Sequence, residues 1–229
     1  MLVACALVAT RWAGPSQRRL FSSVSVTSEN HQRWMDGVVL SASKARLLQY
    51  VRSFLHYRTM DNGALCPIQV LARDSGEYIS ALRNLRSLTL CSITIEFVGE
   101  EVLRTFFSAF RETLTELTLK TFSTTFNMFL TLVDYFPNIT TLWVGSFTFQ
   151  PDAGPAPLLS RPLRGKISIC YPGCVNNWGF ADQLAKFDLE YDGLAIESSY
   201  SMGMAALERH LKLSTSTVKY LKLAVPLLG

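Results

Sequence analysis

The hexapeptide Leu85-Arg86-Ser87-Leu88-Thr89-Leu90 recurs as Leu114-Thr115-Glu116-Leu117-Thr118-Leu119, and a looser copy reads Ile139-Thr140-Thr141-Leu142-Trp143-Val144. Each copy has apolar residues at its first, fourth and sixth positions, the spacing of the strand core in a leucine-rich repeat. The copies begin at residues 85, 114 and 139, so the steps are 29 and 25 residues. Both steps match the length of such a repeat, about 20–29 residues. The pattern predicts short parallel strands that stack on one another.

Weaker copies of the same spacing extend the pattern toward both ends of the chain. The steps from residue 51 to 85 and from 184 to 218 are both 34 residues, which predicts long or irregular units there. The weaker copies are Phe21 with Val24 and Val26, Val51 with Phe54, Ile167 with Ile169, Leu184 with Phe187 and Leu189, and Val218 with Leu221 and Leu223.

Helical patterns lie between several of these copies, which we call phrases, because apolar residues recur there at steps of three and four. The helix over residues 126–136 should end at Phe136, since a proline follows and disfavours helical geometry in the residue before it. A strand followed by a helix leaves one apolar face that only the next unit can bury. The predicted helix faces are Val102, Leu103, Phe106 and Phe110; Phe126, Phe129, Leu130 and Val133; and Tyr200, Met204, Leu207 and Leu211.

Composition favours a folded protein with neither a nucleic-acid nor a membrane partner. The chain has 229 residues, of which 48% are hydrophobic and 17% charged, so it can bury a core. The net charge of +4 is spread along the sequence, whereas nucleic-acid binding favours clustered Lys and Arg. The longest early apolar run, residues 1–9, is far shorter than a membrane span of about 20 residues.

No motif of a catalytic or metal site is present in the sequence. The five cysteines are irregularly spaced, which is typical of reduced thiols in a cytoplasmic or nuclear protein. His31, His56 and His210 are widely separated, and none lies in a metal-binding spacing. We therefore expect no cofactor, no metal and no enzymatic activity, with a Ser-His-Asp triad of distant residues left as an open alternative.

Three segments resemble the F-box/leucine-rich-repeat proteins that are abundant in mushroom-forming fungi. The phrase from Phe136 to Leu142 is similar to their turn into a strand, and the stretch from Ser80 to Leu90 is similar to the strand phrase that they repeat. Residues 7–12, ending in Trp12, followed by Gln17 to Phe21, resemble the end of an F-box. The resemblance covers roughly residues 4–225.

The resemblance implies an α/β fold: a leucine-rich-repeat-like solenoid, with a curved parallel sheet and outer helices, preceded by a remnant of an α-helical F-box. We expect residues 1–26 to form the F-box remnant and first capping strand, and residues 27–229 the irregular repeat domain. Only the last third of an F-box would then stand before the repeats, since that module has about 40–50 residues.

The implied function is that of a substrate receptor in an SCF-type ubiquitin ligase. Its partners would be a Skp-type adaptor and an unidentified protein substrate, and its compartment the cytoplasm or nucleus. A stand-alone interaction scaffold is the alternative. Arg11, Arg18 and Arg19 lie among serines ahead of the first acid, Glu29, so a mitochondrial presequence is a minor alternative.

The candidate partner-binding residues are of two kinds. Trp12, Leu20 and Phe21 either contact the adaptor or pack the end of the first helix. The others lie between the leucines of the phrases, where the alternation of a strand turns them away from the core. Along the chain these are Ser87 and Thr89, Glu116 and Thr118, Thr141 and Trp143, Lys186 and Asp188, and Tyr220 and Lys222.

Two features of that surface carry alternatives. Trp143 is either a binding anchor, as tryptophan often is, or ordinary core under a neighbouring loop. The run Asp188-Leu189-Glu190-Tyr191-Asp192 would show three carboxylates on one face of a strand. A solvated acidic stripe is the favoured interpretation of that run, ahead of a metal or paired-acid site.

Overall fold

A computed structural model describes residues 10–39, 45–57, 63–95, 100–150, 160, 163–171, 189–198 and 220–224. The helices are α1 (Thr10–Leu20), α2 (His31–Trp34), α3 (Ile68–Ser80), α4 (Glu100–Phe107) and α5 (Phe126–Tyr135), with shorter helical turns at Met35–Val39, Ala45–Tyr50 and Ser108–Phe110. The strands are β1 (Ser23–Thr27), β2 (Ser53–Tyr57), β3 (Cys66–Pro67), β4 (Ser87–Ile95), β5 (Glu116–Thr125), β6 (Thr141–Gln150), β7 (Leu163–Tyr171), β8 (Leu189–Ser198) and β9 (Tyr220–Ala224).

The strands form one parallel sheet, so the chain belongs to the α/β class, as predicted. Its order is β1-β2-β4-β5-β6-β7-β8-β9, with β3 beside the second half of β4. Apart from β3, each strand lies next to the strand that precedes it in the chain. Parallel neighbours need a crossover connection, and α3, α4 and α5 lie within such connections.

The repeated phrases stand in register across the sheet, as their spacing predicts. Two apolar ladders run across strands β4 to β9, and we call them the leucine ladders. The steps between their successive members are 29, 25, 25, 27 and 27 residues. The first ladder is Leu88, Leu117, Leu142, Ile167, Leu194 and Leu221, and the second is Leu90, Leu119, Val144, Ile169, Ile196 and Leu223.

The ladder residues of β4, β5 and β6, together with Ile167 of β7, pack against the helices in one hydrophobic core. Leu88 and Leu117 are each 1% exposed, and Phe107 of α4 and Phe129 of α5 belong to the same buried cluster. The weaker phrase near the amino terminus joins this core through β1, in which Val24 and Val26 alternate with exposed or half-buried residues. The apolar side of the sheet is therefore the side that the helices cover.

One predicted strand phrase is wrong in position. Leu184 and Phe187 lie outside the described residues, and Leu189 begins β8 opposite Leu163. The ladder members of this strand are Leu194 and Ile196. Tyr191, Leu194 and Ile196 have the same spacing as Leu184, Phe187 and Leu189, so the spacing alone could not select between the two segments.

Two of the three predicted helices are confirmed within the described residues. α4 and the helical turn after it span residues 100–110, and α5 ends at Tyr135, next to the extended Phe136 that precedes the proline. The third predicted helix face, residues 200–211, lies outside the described residues. The prediction missed α3, whose polar run Asp74-Ser75-Gly76-Glu77 interrupts its apolar pattern.

The same hydrogen bonds recur where successive strands begin. The backbone carbonyl just before a strand accepts two consecutive N–H groups of the next unit, at 2.8 to 3.0 Å. One example is the carbonyl of Arg86, to which the amides of Thr115 and Glu116 both donate at 2.9 Å. The carbonyls that accept such a pair are those of Ser22, Arg52, Arg86 and Thr115.

A left-handed residue bends three neighbouring strands at the same level. Ser92, Thr121 and Ser146 have φ values of 58°, 51° and 52°. The residues immediately before and after each of them pair with the neighbouring strand, but the left-handed residue itself has no place in that register. The bend resets the alternation, so that Phe122 is buried while Thr121 is exposed. A left-handed conformation costs about 1–2 kcal/mol for an L-residue and is least suited to a β-branched one.

We predict that Thr121→Asn raises the free energy of unfolding by about 1 kcal/mol, because asparagine tolerates the left-handed region. Urea denaturation of the purified chain measures the change. The matched control is Thr118→Asn on the same strand, where the backbone is extended and the lower strand propensity of asparagine should lower the stability. An unchanged or lowered stability of Thr121→Asn would contradict the prediction.

Candidate functional site

The side of the sheet opposite the leucine ladders is lined by polar side chains, and we call it the polar face. The alternation predicted this placement for the residues between the leucines of β4, β5 and β6. Strand neighbours are about 4.8 Å apart, so the side chains form continuous rows. Row one is Ser87, Glu116, Thr141 and Lys166; row two is Thr89, Thr118, Trp143 and Ser168; and row three is Cys91, Lys120 and Gly145.

Trp143 lies flat on the polar face and is half-buried, so it is not one of the buried core residues. Its six-membered ring covers the backbone of Gly145, where any Cβ atom would overlap the ring. The ammonium of Lys120 lies 5.3 Å from the centre of the indole. A cation at this distance is attracted to the negative face of the ring. Gly145 leaves the space that the indole fills, and Lys120 attracts the face of the ring. Together these two contacts favour one orientation of the indole.

The charges of the polar face are mixed. Glu116 and Lys166 are exposed and stand on either side of Thr141 in row one, while Lys120 is exposed in row three. Cys91, next to Lys120, is only 7% exposed. Burial raises the pKa of the Cys91 thiol, and the positive charge of Lys120 opposes that shift in part. A raised pKa keeps the sulfur protonated at neutral pH, so this cysteine is a poor nucleophile.

The rows continue into the later strands by register. Gly193 is paired with Lys166, and Tyr220 is paired with Gly193, so Tyr220 continues row one. Lys222 follows Ala195 in row two.

In β8 the register places residues other than the predicted ones beside row one and row two. The residues of β8 that continue the two rows are Gly193 and Ala195. The predicted Lys186 and Asp188 lie outside the described residues.

The predicted stripe of three carboxylates is interrupted. Glu190 and Asp192 belong to β8, and Asp188 lies outside the described residues. Tyr191 pairs with Gly165 and Gly193 pairs with Lys166, which leaves Asp192 as an extra residue in the ladder. A regular alternation would be needed to align the three acids, and this bulge breaks it.

The candidate adaptor residues lie at the amino-terminal end of the described chain. Trp12 is in α1, and Leu20 and Phe21 are half-buried where α1 leads into β1. The guanidinium of Arg18 lies 5.8 Å from the centre of the Tyr50 ring, which helps to hold α1 against the rest of the chain. α1 leads into β1, and β2 stands between β1 and the first strand of the polar face, β4.

A buried serine and a histidine meet between α2 and α3. The Ser75 hydroxyl lies 3.4 Å from Nε2 of His31, and Ser75 is 1% exposed. The contact joins the two helices within the fold.

Among the described residues, no group of three or more His, Cys, Asp or Glu side chains could hold a metal ion. In the same part of the chain, no helix has the length and apolar character to span a bilayer.

Sequence reasoning missed row three of the polar face. Lys120 and Gly145 come two residues after Thr118 and Trp143, so the same alternation extended by one step would have included them. The contact of Lys120 with Trp143 could not be found that way, because it depends on which residues face each other across β5 and β6. The contact of Gly145 depends on the direction in which the Trp143 ring turns along its own strand.

No protein-family model matches the chain, and no curated protein matches it either. The interpretation of the polar face therefore depends on its own geometry.

We predict that Gly145→Ala displaces the indole of Trp143 and lowers the free energy of unfolding by about 1–3 kcal/mol, the usual cost of overpacking. Acrylamide quenching of tryptophan fluorescence should increase, since the ring loses its contact with the sheet. Trp143→Phe should remove that added quenching, which assigns it to this indole.

The matched control is Gly76→Ala in α3, where a Cβ atom meets no other atom within 4 Å. That variant should be as stable as the wild type or more stable by about 1 kcal/mol, because alanine favours a helix over glycine. Equal quenching and equal stability of Gly145→Ala and Gly76→Ala would show that Gly145 does not hold the indole.

Proposed function

We propose that the chain is a protein-binding substrate receptor, the substrate-recognition subunit of an SCF-type ubiquitin ligase. The observation that carries the proposal is the in-register polar face, on which the hydroxyls of Thr89 and Thr118 and the indole of Trp143 lie side by side. Such a face offers a partner protein hydrogen bonds, charges of both signs and an aromatic anchor over several strands.

We further propose that the sheet is a leucine-rich-repeat-like solenoid. Three observations support this finer description. The strand order follows the chain, the same paired hydrogen bonds recur where strands begin, and the left-handed bend recurs at one level in three strands. In such arrays each unit contacts mainly its neighbours and the exposed strand faces form the binding surface.

Trp143 is the proposed anchor of this surface. Tryptophan is enriched among the residues that contribute most to protein interfaces. Its contacts with Gly145 and Lys120 already restrict the indole in the free protein, so less side-chain freedom is lost when a partner binds. Glu116 and Lys166, about two strand spacings apart, would select the partner by charge.

The receptor would act through proximity and would perform no bond chemistry itself. A partner held on the polar face would present its lysines to a ubiquitin-transferring enzyme at a high effective concentration. The link to the ligase would be made at the amino-terminal end, where α1 carries Trp12 and leads to Leu20 and Phe21. The support for this link is the resemblance of these segments to the end of an F-box.

We predict that the purified chain co-elutes with a Skp-type adaptor in size-exclusion chromatography and that Trp12→Ala together with Phe21→Ala abolishes the co-elution. The control Trp143→Ala should bind the adaptor as the wild type does, because Trp143 is in β6, four positions along the sheet from β1. A folded wild-type chain that does not bind the adaptor would leave the stand-alone scaffold as the function.

The polar face is tested by site-specific photocrosslinking in cells. With a benzophenone side chain at Thr118, we expect a defined set of adducts, and Trp143→Ala should reduce them roughly thirtyfold or more, the effect of losing a hot spot of about 2 kcal/mol. The control position is Arg73 on the exposed side of α3. The same adducts from Arg73, or adducts that persist in Trp143→Ala, would contradict the assignment of the face.

A further inference from the structure

The first strand of the described sheet is an edge. β1 pairs with β2 on one side, and in the described part of the chain no strand pairs with it on the other. An edge strand has a row of backbone N–H and C=O groups to which a strand of another chain can pair.

β1 has none of the common protections against such pairing within its own sequence. Its residues are Ser23-Val24-Ser25-Val26-Thr27, without a charged residue or a proline. The two valines are buried and the two serines are exposed. Charged side chains and proline are two of the devices by which natural edges prevent such pairing.

The side chain of Asn30 occupies this edge instead. Its Oδ1 accepts a hydrogen bond from the backbone N–H of Thr27 at 2.7 Å, and its Nδ2 donates to the backbone carbonyl of Ser25 at 3.0 Å. These two backbone groups flank Val26. In a parallel ladder, a residue of the next strand donates its N–H to the carbonyl of the residue before its partner. Its own carbonyl accepts the N–H of the residue after that partner. Here Val26 would be the partner. The amide of Asn30, with one acceptor and a donor like a peptide group, takes the place of that residue.

The turn after β1 brings Asn30 to this position. The N–H of Asn30 donates to the carbonyl of Thr27 at 3.2 Å, and its own carbonyl accepts from Trp34 at 2.9 Å. Asn30 is the residue that precedes α2, where an asparagine side chain ordinarily accepts a bond from the helix. Here its side chain makes no such capping bond. The amide is used on the strand edge in preference to the helix start.

We propose that Asn30 closes the amino-terminal edge of the sheet and prevents a second copy of this chain from pairing through β1. With the amide removed, two β1 strands would pair antiparallel about a two-fold axis, which is the symmetric arrangement for identical surfaces. The groups freed for that pairing are the carbonyl of Ser25 and the N–H of Thr27.

The test is sedimentation velocity of wild type and Asn30→Ala over a range of concentrations. We expect the mass of the variant to rise with concentration toward twice that of the monomer, while the wild type shows no rise over the same range. At low concentration the Thr27 amide of the variant should exchange with deuterium roughly tenfold faster, because one hydrogen bond is lost. At high concentration its exchange should slow again as the strands pair.

Two further variants separate edge closure from a general loss of stability. Asn84→Ala removes a similar side-chain bond inside the array, that of Nδ2 to the carbonyl of Gln49 at 2.9 Å, and should behave as the wild type. Ser25→Pro in the Asn30→Ala background should restore the monomer, since proline removes an outward N–H and is tolerated on edge strands.

A folded Asn30→Ala chain without a rise in mass and without faster exchange at Thr27 would overturn the proposal. A dimer that persists with Ser25→Pro would do so as well, because it would form through a surface other than β1.

Discussion

The structure depends on the burial of the leucine ladders between neighbouring strands. A strand such as β5 presents Leu117 and Leu119 on one side, and neither can leave water unless β4 and β6 stand beside them in register. Full burial of such a side chain contributes about 1.5–3 kcal/mol. Because the side-chain period of a strand is two, a slip of one residue would expose both leucines and bury Thr118. Burial therefore selects a single register, and that register also aligns the polar face.

The same constraint explains why the backbone accepts strain at a repeated position. A left-handed residue costs free energy at Ser92, Thr121 and Ser146, yet each allows the chain to turn so that Ile93, Phe122 and Phe147 are buried in line. Strained conformations persist where the surroundings over-determine them. Here the paired residues on both sides of each bend do so.

The parts of the fold that could be predicted from the sequence are those with a periodic signal. The leucine triplets predict β4 and β5 because their spacing is strict. The apolar face and the proline that follows predict α5. β8 could not be located from the spacing alone, because residues 184–189 and residues 191–196 both carry it. The contact of Trp143 with Gly145 could not be predicted, since it requires the ring to cross from one row to the next. Asn30 gives no periodic signal, since a single residue in a turn acts there through its side-chain amide.

Closing the edge and aligning the polar face are two consequences of one geometry. In a parallel sheet of this kind, each strand can pair with a further strand on its open side. The outer side of β1 carries the same kind of backbone groups with which β2 binds β1. Without a side chain such as that of Asn30, the interaction that orders the rows would also add strands from other copies. The polar face, with Trp143 among its rows, keeps a defined extent only if strand addition stops. Closure of the edge at β1 would therefore preserve the extent of the face that we propose as the binding surface.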